Sequence, residues 1–522
     1  MHPANETALP PIAQAPAPDL KTFCPKQRRR YVLVAAILAS SLGFIDGSVV
    51  SIAIPAIRVD IGATLPEAQW ISNAYALMLS ALILAGGALG DRVGLRRSFA
   101  AGIALFIVAS LLCALAPTPA LLIAARVVQG IGAAVMVPGS LAIIAKAYPK
   151  AERGRAIGLW AASSALTTAL GPVIGGIVLS TFDESVWRWI FAINLPLGGI
   201  AFYLLMAKVP PDEARPRRQV DFGGALLATV SLGGIALGLT LLSGEMTFAG
   251  FNAPTVLIAF GFALVLLFLW WEARHPEPMM ELGLFRERSF SGANLATFFL
   301  YFALSAVLFY LPMMLIAGWG LRESTVGFVF LPLSAAIALL SRPVGKLSDR
   351  IGPRLPMTAG SLVVAAAFGG LGYLAGSGIH QFWGGVFVMM IVMGLGMALV
   401  VSPLSIAVMT AIEDKDTGAA SGINNAVSRI AGLVAVAALG SVAAIRFAAV
   451  ATGEGSGDIP SFGEVPQTEL TASLEALRVE ASDQAFAAVA WFSAAGSLVA
   501  AIISWMTAPG GRRGETIAAA DV

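Results

Sequence analysis

Charge is what this sequence has least of. Lys, Arg, Asp and Glu make up 12% of its 522 residues against 57% hydrophobic ones, which excludes an ordinary soluble domain, where about 25% of residues are charged. Only two cysteines occur, Cys24 in a polar tail and Cys113 in an apolar run, so neither a disulfide framework nor a metal site is expected. The three histidines, His2, His275 and His380, fall in tails or loops with nothing clustering them, which excludes a histidine relay inside a membrane. The pattern Gly-x-x-x-x-Gly-Lys-[Ser/Thr] is missing, so ATP has no phosphate loop to bind and no cofactor is implied. The few polar groups within apolar runs form no nucleophile-base-acid set, which argues against an enzyme. A net charge of +2 gives no basic surplus for a nucleic acid.

What is present is apolar length. Runs of about 20 residues separated by short polar loops match the span of a bilayer core, and their unbroken character is unlike the dyad alternation of a barrel. The pattern predicts an all-α polytopic membrane protein of fourteen helices, the first over 31-55, the ninth over 290-315 and the last over 484-507. The Pro- and Ala-rich segment 1-29 reads as a retained disordered tail without the apolar centre of a secretory signal. It ends in Lys26, Arg28, Arg29 and Arg30, which argues for a cytoplasmic N-terminus. That orientation puts roughly 26 of the 33 Lys and Arg residues inside, about five outside (Arg58, Arg188, Arg322, Arg446, Arg478) and two within helices, Arg126 and Arg429. The longest outer loop, 451-483, is acidic apart from Arg478 and reads as a mobile segment with at most a short surface helix.

A charged stretch, Gly87-Ala-Leu-Gly-Asp91-Arg92-Val-Gly94-Leu-Arg96-Arg97, returns as Gly345-Lys-Leu347-Ser-Asp349-Arg350-Ile-Gly352-Pro-Arg354, 258 residues later. The first and ninth helices start about 259 residues apart, the same offset. The chain is therefore read as a tail (1-29), a six-helix half (30-208), a linker with two inserted helices (209-288), a second six-helix half (289-507) and a C-terminal tail (508-522). Parallel repeats of this kind characterise secondary transporters, which bind substrate between the halves.

Four further stretches carry a family resemblance. They are Ile45-Asp46-Gly-Ser-Val-Val50-Ser-Ile-Ala-Ile-Pro55, Arg126-Val-Val-Gln129-Gly130-Ile-Gly132, Gly158 with Gly171-Pro172-Val-Ile-Gly175-Gly176, and Trp187-Arg188-Trp189-Ile-Phe191-Ala-Ile-Asn194-Leu-Pro196. With the charged loops, these resemble in order the motifs of the major facilitator superfamily, specifically its fourteen-helix drug:proton antiporters. Two departures stand out. Thr167 replaces a further glycine of the antiporter signature, and Gly47-Ser48 and Ser51 stand where Thr and Asn are usual. The resemblance implies export of hydrophobic, often cationic compounds across a bacterial inner membrane in exchange for protons; a monomer is one expectation for the assembly, which the sequence does not decide. A narrow exporter of one metabolite, lipid or siderophore, and a non-transporting receptor, are the alternatives.

Asp46 is the clearest carboxylate inside an apolar helix. Leaving it ionised costs about 2.5–3.5 kcal/mol on insertion scales, so it must pair or take up a proton. Arg126 is its expected partner, and the alternation between pairing and protonation gives a coupling scheme. The position 258 residues after Asp46 is Leu304, which confines proton handling to the first half. Gly158, Gly171, Pro172, Gly175 and Gly176 form a small-residue seam and a proline break, expected to pack on the second half as a rocking seal. The loops (Gly87, Asp91, Arg92, Gly94, Arg96, Arg97; Gly345, Asp349, Arg350, Gly352, Arg354) read as cytoplasmic latches whose acids engage helix N-termini or neighbouring arginines. Expected cavity residues are Asn73, Tyr75, Gln129, Asn294, Phe298, Tyr301, Asn424 and Asn425. Met389, Met390, Met393 and Met397 read as core or as an adaptable wall. Arg429, one turn beyond Asn425, either attracts an anionic group or bonds backbone carbonyls.

Overall fold

The computed structural model describes residues 22–212, 220–244, 247–248, 251–412, 417–452 and 459–510. Most of the expected tails 1-29 and 508-522 lies outside the described residues.

Fourteen helices among the described residues are long and apolar enough to cross a membrane. They are α1 (Lys26–Ile61), α2 (Leu65–Val93), α3 (Leu95–Ala114), α4 (Pro119–Ala147), α5 (Ala151–Thr181), α6 (Ser185–Lys208), α7 (Phe222–Thr240), α8 (Ala253–Glu272), α9 (Arg288–Gly318), α10 (Glu323–Ile351), α11 (Arg354–Gly376), α12 (Phe382–Thr410), α13 (Ala419–Val450) and α14 (Ala472–Thr507). Six helices, α1 to α6, make one half and α9 to α14 the other, with α7 and α8 packed together as the inserted pair. An even number of crossings leaves Lys26 and Thr507 on one side, hereafter the terminal side.

Local chemistry sets the helix ends. Thr64 opens α2 with a full capping box, its hydroxyl receiving the Glu67 amide while the Glu67 carboxylate receives the Thr64 amide. Thr118 and Thr471 cap α4 and α14 in the same way with one bond each. Both charged loops turn on a single left-handed glycine, Gly94 at φ 95° and Gly352 at φ 81°, a conformation that side chains other than glycine's resist.

Three expectations change. Residues near the N-terminal end of α1 are ordered: Cys24 is fully buried, Arg29 reaches Thr22 and Glu152, and burial pushes the Cys24 thiol up despite Arg29 and Arg28. The far-side loop is not simply mobile. Helix α14 starts at Ala472, twelve residues before the expected 484, and takes in Glu475, Arg478, Glu480 and Asp483. Ahead of it, Phe462 is buried and its carbonyl accepts Arg58 Nη1 at 2.7 Å, while residues 453–458 lie outside the described set. The helices are also joined by one small ladder, Thr247–Phe248 against Phe251–Asn252, between α7 and α8.

Candidate functional site

Close backbone approach of α2 and α4 builds the site. A Cβ on Gly86 would lie 2.2 Å from the Ala134 carbonyl oxygen, and one on Gly130 would lie 2.6 Å from that of Tyr75, so only glycine lets these helices touch. That contact brings Arg126 of α4 against Ile71 and Tyr75 of α2 and turns its guanidinium toward α1.

Asp46 sits fifteen residues before the end of α1, about 22 Å from it at 1.5 Å per residue. This is deeper than the sequence suggested, because α1 runs on to Ile61 rather than stopping at 55. Its carboxylate is closed off from solvent and accepts Arg126 Nη1 at 2.5 Å. Its second oxygen accepts Gln129 Nε2 at 3.1 Å. Gln129 also bonds Arg126 Nη1 through Oε1 at 2.6 Å and Ser110 Oγ at 3.0 Å, and Asn194 donates to the same Ser110 at 3.2 Å. Arg126 Nε is held by the Ile71 carbonyl at 2.9 Å, and the Tyr75 ring lies 4.4 Å from the guanidinium carbon. Every group in this network comes from α1, α2, α3, α4 or α6. A buried ion pair is tolerated when its remaining lone pairs and protons are bonded, and here Gln129, Ser110 and Ile71 do that.

Between the halves lies a cavity of about 1130 Å³. Its walls include Asp46, Asn73, Tyr75, Arg126, Tyr301, Asn425 and Arg429. It extends to the terminal-side ends of the helices, where Gly90, Asp91, Leu95, Glu281 and Ala419 line it. The remaining expected lining residues are elsewhere. Gln129 is wholly buried and serves as the second partner of Asp46. Asn424 is spent on Asn294 Oδ1 (3.2 Å) and Thr297 Oγ1 (2.9 Å), joining α13 to α9. Phe298 packs against Phe299 and Phe302. Met390, Met393 and Met397 are core residues, and Met389 packs against that core.

The far side is shut by contacts across the halves. Pro172 and Gly176 of α5 meet the start of α10 so closely that a Cβ on Gly176 would fall 2.3 Å from the Glu323 carbonyl oxygen, and one on Gly327 would fall 2.7 Å from that of Pro172. Gly171 and Gly175 face the other way, onto Val49 of α1. A Cβ on Gly158 would meet nothing within 4 Å, so this glycine stands outside the seam in which the sequence reading put it. Thr167, the departure from the signature, meets Ser41 Oγ at 3.1 Å. Gln69 donates to the Tyr310 hydroxyl at 3.1 Å, which donates to the Val436 carbonyl. Arg58 crosses from α1 to Phe462, Ser461 and Glu464.

In the first charged loop the opening amides of α3, at Leu95 and Arg96, are received by Asp212 at 2.9 Å each, with Lys146 Nζ at 2.7 Å, an acid the sequence reading did not name. Burial opposes ionisation of Asp212, yet the Lys146 and amide bonds hold its carboxyl below the usual range. Arg96 adds bonds to the Leu205 and Met206 carbonyls, while Arg92 and Arg97 are exposed. In the second copy Asp349 and Arg350 are exposed, Gly345 approaches Ser402, and no side chain caps α11. Arg354 binds the Trp505 carbonyl and lies over its ring.

Sequence reasoning missed Asp212, Ser110, Asn194 and the Arg58 bridge. A sequence model described as Major Facilitator Superfamily matches residues 36–436. The chain is 35% identical over 415 residues to the multidrug resistance protein Stp of Mycobacterium tuberculosis (strain CDC 1551 / Oshkosh), covering 79% of this chain and 75% of that one. It is 32% identical to a methylenomycin A resistance protein of Bacillus subtilis (strain 168), covering 79% and 87%. Among solved structures, a bacterial homolog of the human lysosomal transporter Spinster shares the fold with a TM-score of 0.67 at 17% identity, over 93% of this chain and 99% of that one.

Proposed function

The chain belongs to the Major Facilitator Superfamily, and from that premise we propose that it is a proton-coupled antiporter exporting hydrophobic drug-like or toxic compounds by alternating access. It is a multi-pass membrane transporter of small molecules, with relatives named for drug resistance, and not an enzyme. The observation that carries the proton-coupled reading is the solvent-excluded Asp46–Arg126 pair on the wall of the central cavity.

Asp46 has two ways to avoid an uncompensated buried charge: the Arg126 and Gln129 bonds, or a proton. A proton on Asp46 removes the ion pair and leaves Arg126 Nη1 with Gln129 alone, which changes the cavity wall at the point where substrate sits. Because the carboxylate changes partner and charge together, a substrate that perturbs the pair displaces a proton and a proton that breaks the pair weakens substrate binding. That reciprocity is the thermodynamic requirement of antiport. The driving force is then the proton gradient, with no cofactor.

The terminal side we assign to the cytoplasm of a bacterial inner membrane. Lys26, Arg28, Arg29, Arg30, Arg92, Arg96, Arg97, Lys146, Lys208, Arg286 and Arg354 lie at helix ends on that side, which supports it. With that assignment the cavity opens inward and the far-side contacts seal it outward.

Everted membrane vesicles holding the protein test the reading. With an acidic interior, chemically unrelated fluorescent compounds should accumulate, and a protonophore should abolish accumulation. Uptake that persists without a gradient would contradict the coupling, and uptake of one compound alone would favour a narrow exporter.

A further inference from the structure

Family resemblance leads one to expect cationic substrates, and the charge inventory of the cavity runs the other way. Three carboxylates line it, Asp46, Asp91 and Glu281. Asp46 is taken up by Arg126 and Gln129, and the other two sit at the terminal mouth, beside the Gly94 turn and the start of α9. At depth the surplus is a cation. Arg429 of α13 lines the cavity ten residues from the start of that helix, about 15 Å in. It has no hydrogen bond or ion pair among the described residues, and its Nε is buried without a partner. Of the two sequence readings, bonding to carbonyls is therefore not what it does. Its electrostatic neighbours are the Tyr75 and Tyr301 side chains, on opposite walls.

A second, independent group points the same way. Asn73 of α2 is 1% exposed, lines the same cavity, and has its Nδ2 unpartnered. Among the buried side-chain polar atoms of the described residues that lack a partner, only these two belong to cavity-lining residues, and both are donors. A buried unmatched donor is costly, and the half-buried Arg429 has its Nε shut away without a partner, so an acceptor entering the cavity would satisfy both groups.

We infer that the cavity takes a hydrophobic organic acid, whose anionic group pairs with Arg429 while a second acceptor receives the Asn73 amide. Apolar side chains such as Phe44, Phe309 and Phe330 line the same space and hold the remainder of the molecule. Guanidinium suits a carboxylate, phenolate or sulfonate because its planar fork donates two parallel bonds. Cationic compounds gain no equivalent partner, since Asp46 is already neutralised.

This inference rests on reading the cavity as the substrate site, but its test needs no proton gradient. Full-length protein in detergent micelles is titrated into two dyes of one ring type, fluorescein as anion and rhodamine 123 as cation, and binding is followed by polarisation. Wild type should bind fluorescein the more tightly. Arg429→Gln should weaken fluorescein on the order of tenfold or more and leave rhodamine 123 unchanged or tighter. Arg429→Lys should keep most of the fluorescein affinity, and Asn73→Ala should lose a few-fold. Melting temperature gives the control: removing a half-buried charge that has no partner among the described residues should leave Arg429→Gln at least as stable as wild type.

The inference is overturned if wild type prefers rhodamine 123, if Arg429→Gln weakens both dyes alike, or if its melting temperature falls, which would reveal a structural partner. It is overturned equally if Arg429→Gln abolishes proton coupling while fluorescein binding stands, since Arg429 would then serve Asp46. Loss of coupling in the vesicle assay with the dye preference intact would sink only the antiport reading.

Discussion

The two halves follow one backbone plan and keep their charge in different ways. In the first, a carboxylate and a guanidinium are buried together and every partner they need is supplied by α1, α2, α3, α4 and α6. In the second, the position matching Asp46 is Leu304, packed in an apolar core with Leu300 and Val307; Asn424 bonds Asn294, the buried Asp483 of α14 accepts from Trp319 and meets His380, and the charge on its cavity wall is Arg429, without a hydrogen-bond partner among the described residues. The difference suggests a division of labour on a duplicated scaffold. One half holds a self-satisfied pair, proposed to open on protonation, and the other a cavity-facing cation, proposed to pair with an anionic ligand.

The loops repeat the contrast on the surface. Gly94 and Gly352 make the same turn 258 residues apart, but the first is pinned by Asp212 and Lys146, whereas Asp349 of the second stands exposed.

Changes that set one half against the other should rank as follows. Arg126→Ala leaves a buried carboxylate alone and should cost about 3–5 kcal/mol in micelle unfolding experiments. Adding Asp46→Asn should recover much of that, as expected for coupled sites. Full additivity of the two changes would mean that the pair does not interact. Gly176→Leu, at the seam between halves, should cost about 1–3 kcal/mol in the far-side-closed state and raise the reactivity of a cysteine placed in the cavity toward far-side reagents. Gly158→Ala, with open space around it, should stay within about 0.5 kcal/mol, and equal losses would erase the distinction between the two glycines.

Asp212→Asn should cost about 1 kcal/mol through the lost helix cap, and Asp349→Asn no more than about 0.5 kcal/mol. The acid dependence has a definite sign. Because the folded-state pKa of Asp212 is depressed, its stabilisation is present above the unfolded carboxylate value and is lost as pH falls through the lower folded value. Wild type should therefore lose stability in that acidic window and Asp212→Asn should lose less, measured by melting temperature against pH.

Some of this was legible in the sequence. Fourteen spans and the duplication follow from long apolar runs and one repeated loop, and Asp46 and Arg126 are conspicuous because intramembrane charge is rare. Partners brought together only by tertiary closure were not legible. Arg58 meets Phe462 from 404 residues away, and Asp212 reaches Leu95 across 117, with no local pattern marking either. Gln129 reads as a cavity amide until the rotation of α4 turns it onto Asp46. The early start of α14 was hidden by its charges, although Thr471, bonded by the Leu474 amide, is a cap that could have announced it.

Asp46 is proposed to carry the proton that substrate displaces. Purified protein in weakly buffered solution, mixed with a compound that the vesicle assay identifies as exported, reports this through a pH indicator. Wild type should release protons on mixing and Asp46→Asn should release none while still binding the compound; equal release from both would contradict the account.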